Sequence, residues 1–245
     1  GEIPAFVQFV DGDCEVRADW IGKAFSFLQE NPKVAVVCGR RRERFPEASL
    51  YNAHCDREWD TPIGEALACG GDALMRMAAL DQVGGYDPRL IAGEEPEMCV
   101  RLRQKGWKIW RLDAEMTLHD AAMMRCGQFW KRSRRAGHAY AEGAFLHGAP
   151  PERHFLRETR RAALWGLALP AVILILALFV SPWMLGLFVI YPLQIARLAV
   201  RGGNSDAAWE EAMLLTVGKL AEGLGVLEFH LRRLSGRRAG LIEYK

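Results

Sequence analysis

The chain has 245 residues, half of them hydrophobic and a quarter charged, with a formal net charge of +2. That length suits one sizeable domain and a smaller second part, and the charge balance argues against bulk electrostatic binding of nucleic acid. The six cysteines (14, 38, 55, 69, 99 and 126) include no C-x-x-C pair, which argues against a zinc site and for free thiols in a reducing compartment.

Five of the six residues from Ala5 to Val10 are apolar, without helical period, as in a short strand buried on both faces. The run ends in Asp11-Gly12-Asp13. At the carboxyl end of a strand in an open α/β sheet, where ligands gather, two carboxylates suit a hard divalent cation and the phosphates it bridges. A polar turn is the competing reading of Asp-Gly. Asp19 reads as the cap of a helix over Trp20–Glu30, with Ile21, Ala24, Phe25 and Leu28 on its apolar face. Lys33–Cys38 reads as a second buried strand. Gly39–Phe45 carries five Arg or Glu residues in seven and reads as a solvated edge or loop. The pattern from there to Ile63 is irregular, with Trp59, Asp60 and Pro62 in a loop.

In Cys69-Gly70-Gly71-Asp72 the glycines permit a tight turn, and Asp72 is placed to cap a helix from Ala73 to Val83 that Gly84-Gly85 ends. Gly93-Glu94-Glu95-Pro96-Glu97 opens another helix. Pro96 fits the first helical position and Glu95 the cap; Met98 and Leu102 face inward and Gly106 closes it. A strand over Trp107–Leu112 follows. Alternating strands and helices predict an α/β domain, assigned to residues 1–150.

The chain then changes character. Arg125–Arg161 carries nine Lys or Arg against three Glu, and residues 151–161 read as a basic juxtamembrane linker. Ala162–Val180 has nineteen residues without a charge, enough to cross a bilayer's hydrocarbon core; Ser181-Pro182 breaks it, and Trp183–Val200 reads as a second span. A buried core hairpin is the alternative. Arg157, Arg160 and Arg161 precede the first span and Arg197 and Arg201 end the second, so both ends of the hairpin (162–200) are expected on the cytoplasmic side. Trp165 and Trp183 are placed as interfacial anchors. Residues 206–245 read as an amphipathic helix from Asp206 to about Leu234, with Met213, Leu214, Val217, Leu220, Leu224 and Leu227 on one face, and a basic tail of Arg232-Arg233 and Arg237-Arg238.

Taken in order, Phe9-Val10-Asp11-Gly12-Asp13, Gly70-Gly71 with Arg76, Val83-Gly84-Gly85-Tyr86-Asp87, Gly93-Glu94-Glu95-Pro96-Glu97, Arg101-Leu102 with Gly106-Trp107, and the closing Leu241–Lys245 resemble the family 2 glycosyltransferases, more narrowly their bacterial membrane members. These are inverting, metal-dependent enzymes of GT-A fold. The resemblance implies an enzyme that moves a sugar from a nucleotide-diphospho-sugar to a saccharide or lipid-linked acceptor, for polysaccharide or glycolipid synthesis at the inner membrane. It implies that Asp11 and Asp13 hold Mn²⁺ or Mg²⁺, with His119 where some relatives place a third ligand; a satisfied loop histidine is the equal alternative. Glu95 aligns with the usual catalytic Asp and would be the general base. Gly70, Gly71, Asp72, Arg76, Glu94, Glu97 and Arg132 would line the donor and acceptor sites. Ordinary compensation of the helix dipole competes for Glu94, Glu95 and Glu97.

Two features depart from the pattern. Glu95 adds a methylene to the usual residue, and Gln128-Phe129-Trp130-Lys131-Arg132-Ser133 lacks the Gln-x-x-Arg-Trp of processive synthases. The family's first βαβ units would lie upstream of Gly1, so the chain by itself is expected to be an inactive catalytic and membrane half. A metal-dependent nucleotidyl- or phosphotransferase, or a non-catalytic membrane scaffold, are the competing functions.

Overall fold

The structure, a computed structural model, describes residues 4–236, so Arg237-Arg238 and Leu241–Lys245 lie outside the described residues. Two compact units make up the chain, Gly1–Met124 and Arg125–Lys245. The boundary thus lies at Met124, upstream of the expected residue 150.

The first unit runs β1 (Phe6–Phe9), β2 (Cys14–Val16), α1 (Trp20–Glu30), β3 (Val34–Glu43), a 3-10 turn (Pro46–Ala48), α2 (Leu50–Glu58), β4 (Gly64–Ala66), β5 (Ala73–Arg76), α3 (Met77–Val83), α4 (Glu94–Gln104) and β6 (Lys108–His119). The sheet order is β1-β5-β3-β6-β2, with β4 also on β6. Among the described residues only β3 and β6 pair in parallel. The core joins β3, β5 and β6 to Trp20, Ala24 and Leu28 of α1 and to Met98, Cys99 and Leu102 of α4. Each large apolar side chain buried there stabilises by roughly 1.5–3 kcal/mol.

Several elements differ from the sequence reading. Among the described residues β1 has a neighbour on one side only, β5, and its residues are half-buried rather than buried on both faces. On α1 the stripe at 20, 24 and 28 is buried, while Ile21 and Phe25 are 42% and 40% exposed. Asp19 makes no cap bond; its carboxylate takes Lys23 Nζ at 2.5 Å instead. The charged run after Cys38 is no loop: β3 continues through it to Glu43, with Arg40 and Glu43 buried. Buried charges of this kind need partners, and they have them. Arg40 donates to Asp56 at 3.0 Å, and Glu43 accepts from Asn52 and from the Ala121 N–H, at 3.1 and 3.0 Å.

Residues read as irregular form α2, capped by Ser49, whose side chain accepts from Asn52 N. Ala73–Arg76 is strand β5, so α3 starts only at Met77 and Asp72 caps nothing. In α4, Gly93 takes the cap position with φ +80°, and Pro96 stands third in the helix. It costs no hydrogen bond there, because the first four helical N–H groups have no intrahelical acceptor. Finally β6 extends seven residues past Leu112 to His119, which carries its last residue to the end of the sheet where β1 delivers Asp11.

The second unit is helical: α5 (Cys126–His147), α6 (Leu156–Ala163), a π-helical turn (Leu164–Ala168), α7 (Leu169–Phe179), a 3-10 segment (Pro182–Val189), α8 (Ile190–Arg201) and α9 (Asp206–Leu234). The stretch read as a linker over 151–161 is helical from Leu156. Leu156–Phe179 and Pro182–Arg201 are each long and apolar enough to cross a membrane, and 17% and 6% of their most apolar windows are buried. A core helix of a soluble domain is mostly covered; here Leu178, Phe179 and Trp183 are 77%, 78% and 88% exposed.

Glycines set the packing of this unit. A Cβ on Gly137 of α5 would lie 2.0 Å from the Glu222 carbonyl of α9, and one on Gly166 would lie 2.1 Å from the Lys219 carbonyl. Backbones meet directly, as small residues allow where helices cross closely. This explains why α9 buries Ala212, Gly218, Ala221, Gly223 and Gly225. The expected apolar face is only partly covered: Leu214 is buried, while Met213, Leu224 and Leu227 are about 40% exposed.

Candidate active site

Pairing of β1 with β5 sets Phe9 opposite Ala73, so the residues just beyond them, Asp11 and Asp72, come together. The Asp11 N–H donates to Asp72 Oδ1 at 2.8 Å. Gly71 is glycine for a local reason: a Cβ there would lie 2.4 Å from Asp11 Oδ1. Gly70 has open space around its Cβ position and no such constraint. Asp72 is fully buried and accepts from Thr117 Oγ1 of β6 at 2.6 Å. Arg41 of β3 completes the arrangement, its Nη2 standing 2.8 Å from both Asp11 Oδ2 and Asp72 Oδ2. Burial opposes the Arg41 charge, but Asp72 and Asp11 outweigh it and hold the guanidinium ionised.

The register of β2 on β6 sets Cys14 opposite His119. His119 is buried, its Nε2 is 3.2 Å from Asp13 Oδ1, and its Nδ1 lies 3.8 Å from Glu43 Oε2 without a hydrogen bond. The Trp59 ring closes on it edge-first at 4.7 Å. Burial, then Arg41, lowers the His119 pKa, which keeps the imidazole neutral and its lone pair free to bind. Asp11, Asp13, Cys14 and His119 each present a ligand atom within 4.8 Å of the others. The Cys14 thiol is pushed up to about 12, chiefly by burial, so at neutral pH it is no thiolate. What remains is two carboxylates and an imidazole. That oxygen-rich set fits Mn²⁺ or Mg²⁺, with the nitrogen favouring Mn²⁺. Arg41 occupies Oδ2 of Asp11 and leaves Oδ1 for such an ion.

The N-terminus of α4 contributes Glu95, whose pKa is raised to about 7. Burial is the main cause and the neighbouring Glu94 the second; Asp11 adds to the rise and Arg41 opposes it, which puts Glu95 within electrostatic reach of the Asp11–Arg41 pair. Glu94 keeps one buried carboxylate oxygen without a hydrogen-bond partner. Glu95 is thus a carboxylate poised to take or give a proton near neutral pH.

Of the other expected site residues, Glu97 and Arg76 are held in packing contacts within the first unit. Glu97 is buried against Arg101, which grips both its oxygens at 2.7–2.9 Å and also donates to the Val83 and Gly85 carbonyls. It fastens α4 to the end of α3. Arg76 stands at the opposite end of β5 from Asp72, bonded to the Leu28 and Val34 carbonyls and stacked on Phe6. Arg132 belongs to α5 in the second unit. The sequence reading missed Arg41, Glu43, Trp59 and Thr117. Strand alternation carried past Cys38 would have set Arg41 and Glu43 on one face of β3, and that was the available signal.

No known family profile matches the chain. Over 114 residues, 42% of this chain, it is 29% identical to glucomannan 4-beta-mannosyltransferase 9 of Arabidopsis thaliana and 27% identical to probable glucomannan 4-beta-mannosyltransferase 11 of Oryza sativa subsp. japonica. The match spans about a fifth of the length of these curated relatives, 21% and 20%. A mannosyltransferase from Pyrobaculum calidifontis, PcManGT, solved in complex with GDP-Man and Mn²⁺, superposes on 91% of this chain and 62% of its own, with a TM-score of 0.58 at 18% identity. The chain has the fold of a glycosyltransferase. Within that glycosyltransferase fold, the acidic cluster of Asp11 and Asp13 with His119 is the candidate metal centre.

Proposed function

We propose that this chain forms the metal-binding and proton-accepting part of a membrane-bound glycosyltransferase. It moves a sugar, of the mannose class that the relatives' names carry, from a nucleotide-diphospho-sugar to a saccharide or lipid-linked acceptor. The observation that carries this reading is the convergence of Asp11, Asp13 and His119, with Glu95 within electrostatic reach of Asp11, in a fold shared with a mannosyltransferase. Asp11, Asp13 and His119 would hold Mn²⁺ or Mg²⁺, which would supply Lewis-acid stabilisation of charge on the donor's diphosphate. Arg41 holds the Asp11 carboxylate and Asp72 holds the Asp11 backbone N–H, and Thr117 pins Asp72. Glu95 takes the proton of the acceptor hydroxyl as its oxygen bonds to the anomeric carbon and the bond to the diphosphate breaks. A single displacement of this kind inverts the anomeric centre. The hairpin Leu156–Arg201 crosses the cytoplasmic membrane with its basic ends inside.

The test offers a panel of nucleotide sugars, GDP-mannose included, to the full-length protein with and without Mn²⁺. Sugar-dependent release of nucleoside diphosphate that EDTA stops is the expected result. Nucleotidyl transfer would favour a nucleotidyltransferase, and no turnover with any donor would favour a scaffold.

A further inference from the structure

The second unit carries a cavity of about 320 Å³ that the catalytic reading does not use. It is lined by Arg161, Trp165, Arg197, Leu198, Leu215 and Lys219, together with Gln194 and Thr216. Three cations thus face one cavity whose lining has no carboxylate. Arg161 has no carboxylate partner among the described residues. Among the described residues Arg197 reaches the Gln194 amide oxygen, at 3.4 Å. Lys219 shares its charge with Glu222 at 2.6 Å. The apolar share of the lining comes from Trp165, Leu198 and Leu215.

The cavity's place in the fold is as informative as its lining. Arg161 stands at the start of the first apolar run and Arg197 at the end of the second, so the cavity lies at the basic ends of the hairpin. The Tyr191 hydroxyl donates to the Trp165 carbonyl at 2.6 Å, tying the two runs together at this level. Trp165 sits in the π-helical turn Leu164–Ala168, a widened turn of the kind often found at functional sites. The same turn holds Gly166 against the α9 backbone, so α9 supplies the remaining wall with Leu215, Thr216 and Lys219.

We propose that this cavity binds the phosphate headgroup of an anionic glycerophospholipid. Arg161, Arg197 and Lys219 hold the phosphate, and the acyl chains run along the exposed apolar surface of the hairpin. Charge complementarity selects the phosphate. The apolar exposure that continues from the site, with Leu164 and Leu193 55% and 61% exposed, selects a lipid over a soluble phosphate. The proposal rests on the membrane reading of the hairpin.

The experiment inserts the full-length protein into nanodiscs and counts retained lipids by native mass spectrometry, comparing phosphatidylglycerol with phosphatidylcholine. One phosphatidylglycerol should stay bound through steps that strip phosphatidylcholine. A basic residue facing anionic headgroups contributes on the order of fivefold in affinity, so Arg161→Gln with Arg197→Gln should weaken retention by at least about tenfold, and Arg161→Lys should keep it. Arg201→Gln, at the same end of the hairpin but outside the cavity lining, should change it less than about twofold. Equal loss in Arg201→Gln, equal retention of phosphatidylcholine, or full displacement by millimolar inorganic phosphate would each overturn the proposal. A protein that inserts normally and shows one of these results refutes the cavity alone. A protein that does not insert refutes the hairpin and the cavity with it.

Discussion

The two units solve opposite packing problems. The first unit buries charge: Arg40, Glu43, Asp72, Glu97 and Arg111 are all under 9% exposed, and partners such as Asp56 for Arg40, Arg41 for Asp72 and Arg101 for Glu97 offset the cost of leaving water. The second unit brings backbones together through Gly137, Gly166, Gly223 and Gly225, while leaving large apolar side chains such as Leu178, Phe179 and Trp183 outside. Buried ionic networks that converge at a sheet edge are how a protein fixes chemistry. Glycine-lined crossings with exposed leucines are how helices associate in lipid, where apolar burial gives little drive. The difference teaches that glycine means different things in the two halves: Gly71 clears space for a carboxylate, Gly137 for another helix.

The largest expected effect breaks the first half of this comparison. Asp13→Ala removes a proposed metal ligand and the His119 contact, and a Lewis acid's several kcal/mol of transition-state stabilisation corresponds to roughly 10³-fold in rate. Turnover assays of the full-length protein with added Mn²⁺ measure it, and full activity in EDTA would rule the metal assignment out.

Next comes the contrast between glycines. Gly71→Ala should weaken Mn²⁺ binding at least about tenfold with little change in Tm, because the added Cβ displaces Asp11 at the surface of the unit. Gly137→Ala should leave Mn²⁺ binding alone and destabilise by about 1–3 kcal/mol, the usual penalty of overpacking. Isothermal titration and thermal unfolding read the two separately; if both variants move both quantities alike, the division of roles fails.

A third prediction concerns pH. Glu95 must be ionised to accept a proton, so kcat/KM should fall as pH drops through about 7. Because Glu94 helps to raise that pKa, Glu94→Gln should move the acidic limb to lower pH with kcat at pH 8 little changed. The stability sign is opposite. A carboxyl whose folded pKa lies above its unfolded value contributes stability below about 4.5 that is lost as pH rises through about 7. Glu95→Gln should therefore raise Tm slightly at pH 8 in metal-free buffer, a common trade between stability and activity.

What could be read from the sequence divides along the same line. Local patterns were legible. Apolar runs gave β1 and the first half of β3, the stripe through Trp20, Ala24 and Leu28 lay within the expected helix, and Asp11-Gly12-Asp13 and His119 did meet. Groups whose meaning depends on distant partners were not legible. Arg41 looks solvated until Asp11 and Asp72 close on it. Asp72 resembles a helix cap until β5 is paired with β1. Glu94, Glu95 and Glu97 are chemically near-identical in sequence; Arg101 withdraws Glu97 into a structural pair, while burial and proximity to Asp11 mark Glu95. In α9 hydropathy alone pointed to leucines, whereas close helix approach selects glycine and alanine for the buried side.

The most direct test of the account is the effect of Glu95→Gln on the full-length, membrane-inserted protein with Mn²⁺ and its working nucleotide sugar. Gln keeps size and hydrogen bonding but accepts no proton. Loss of general-base help lowers kcat by about 10²–10⁴, and donor and Mn²⁺ binding should stay within about twofold of wild type. A kcat within a few-fold of wild type for Glu95→Gln, with Glu94→Gln inactive instead, would contradict the assignment of Glu95 as the base.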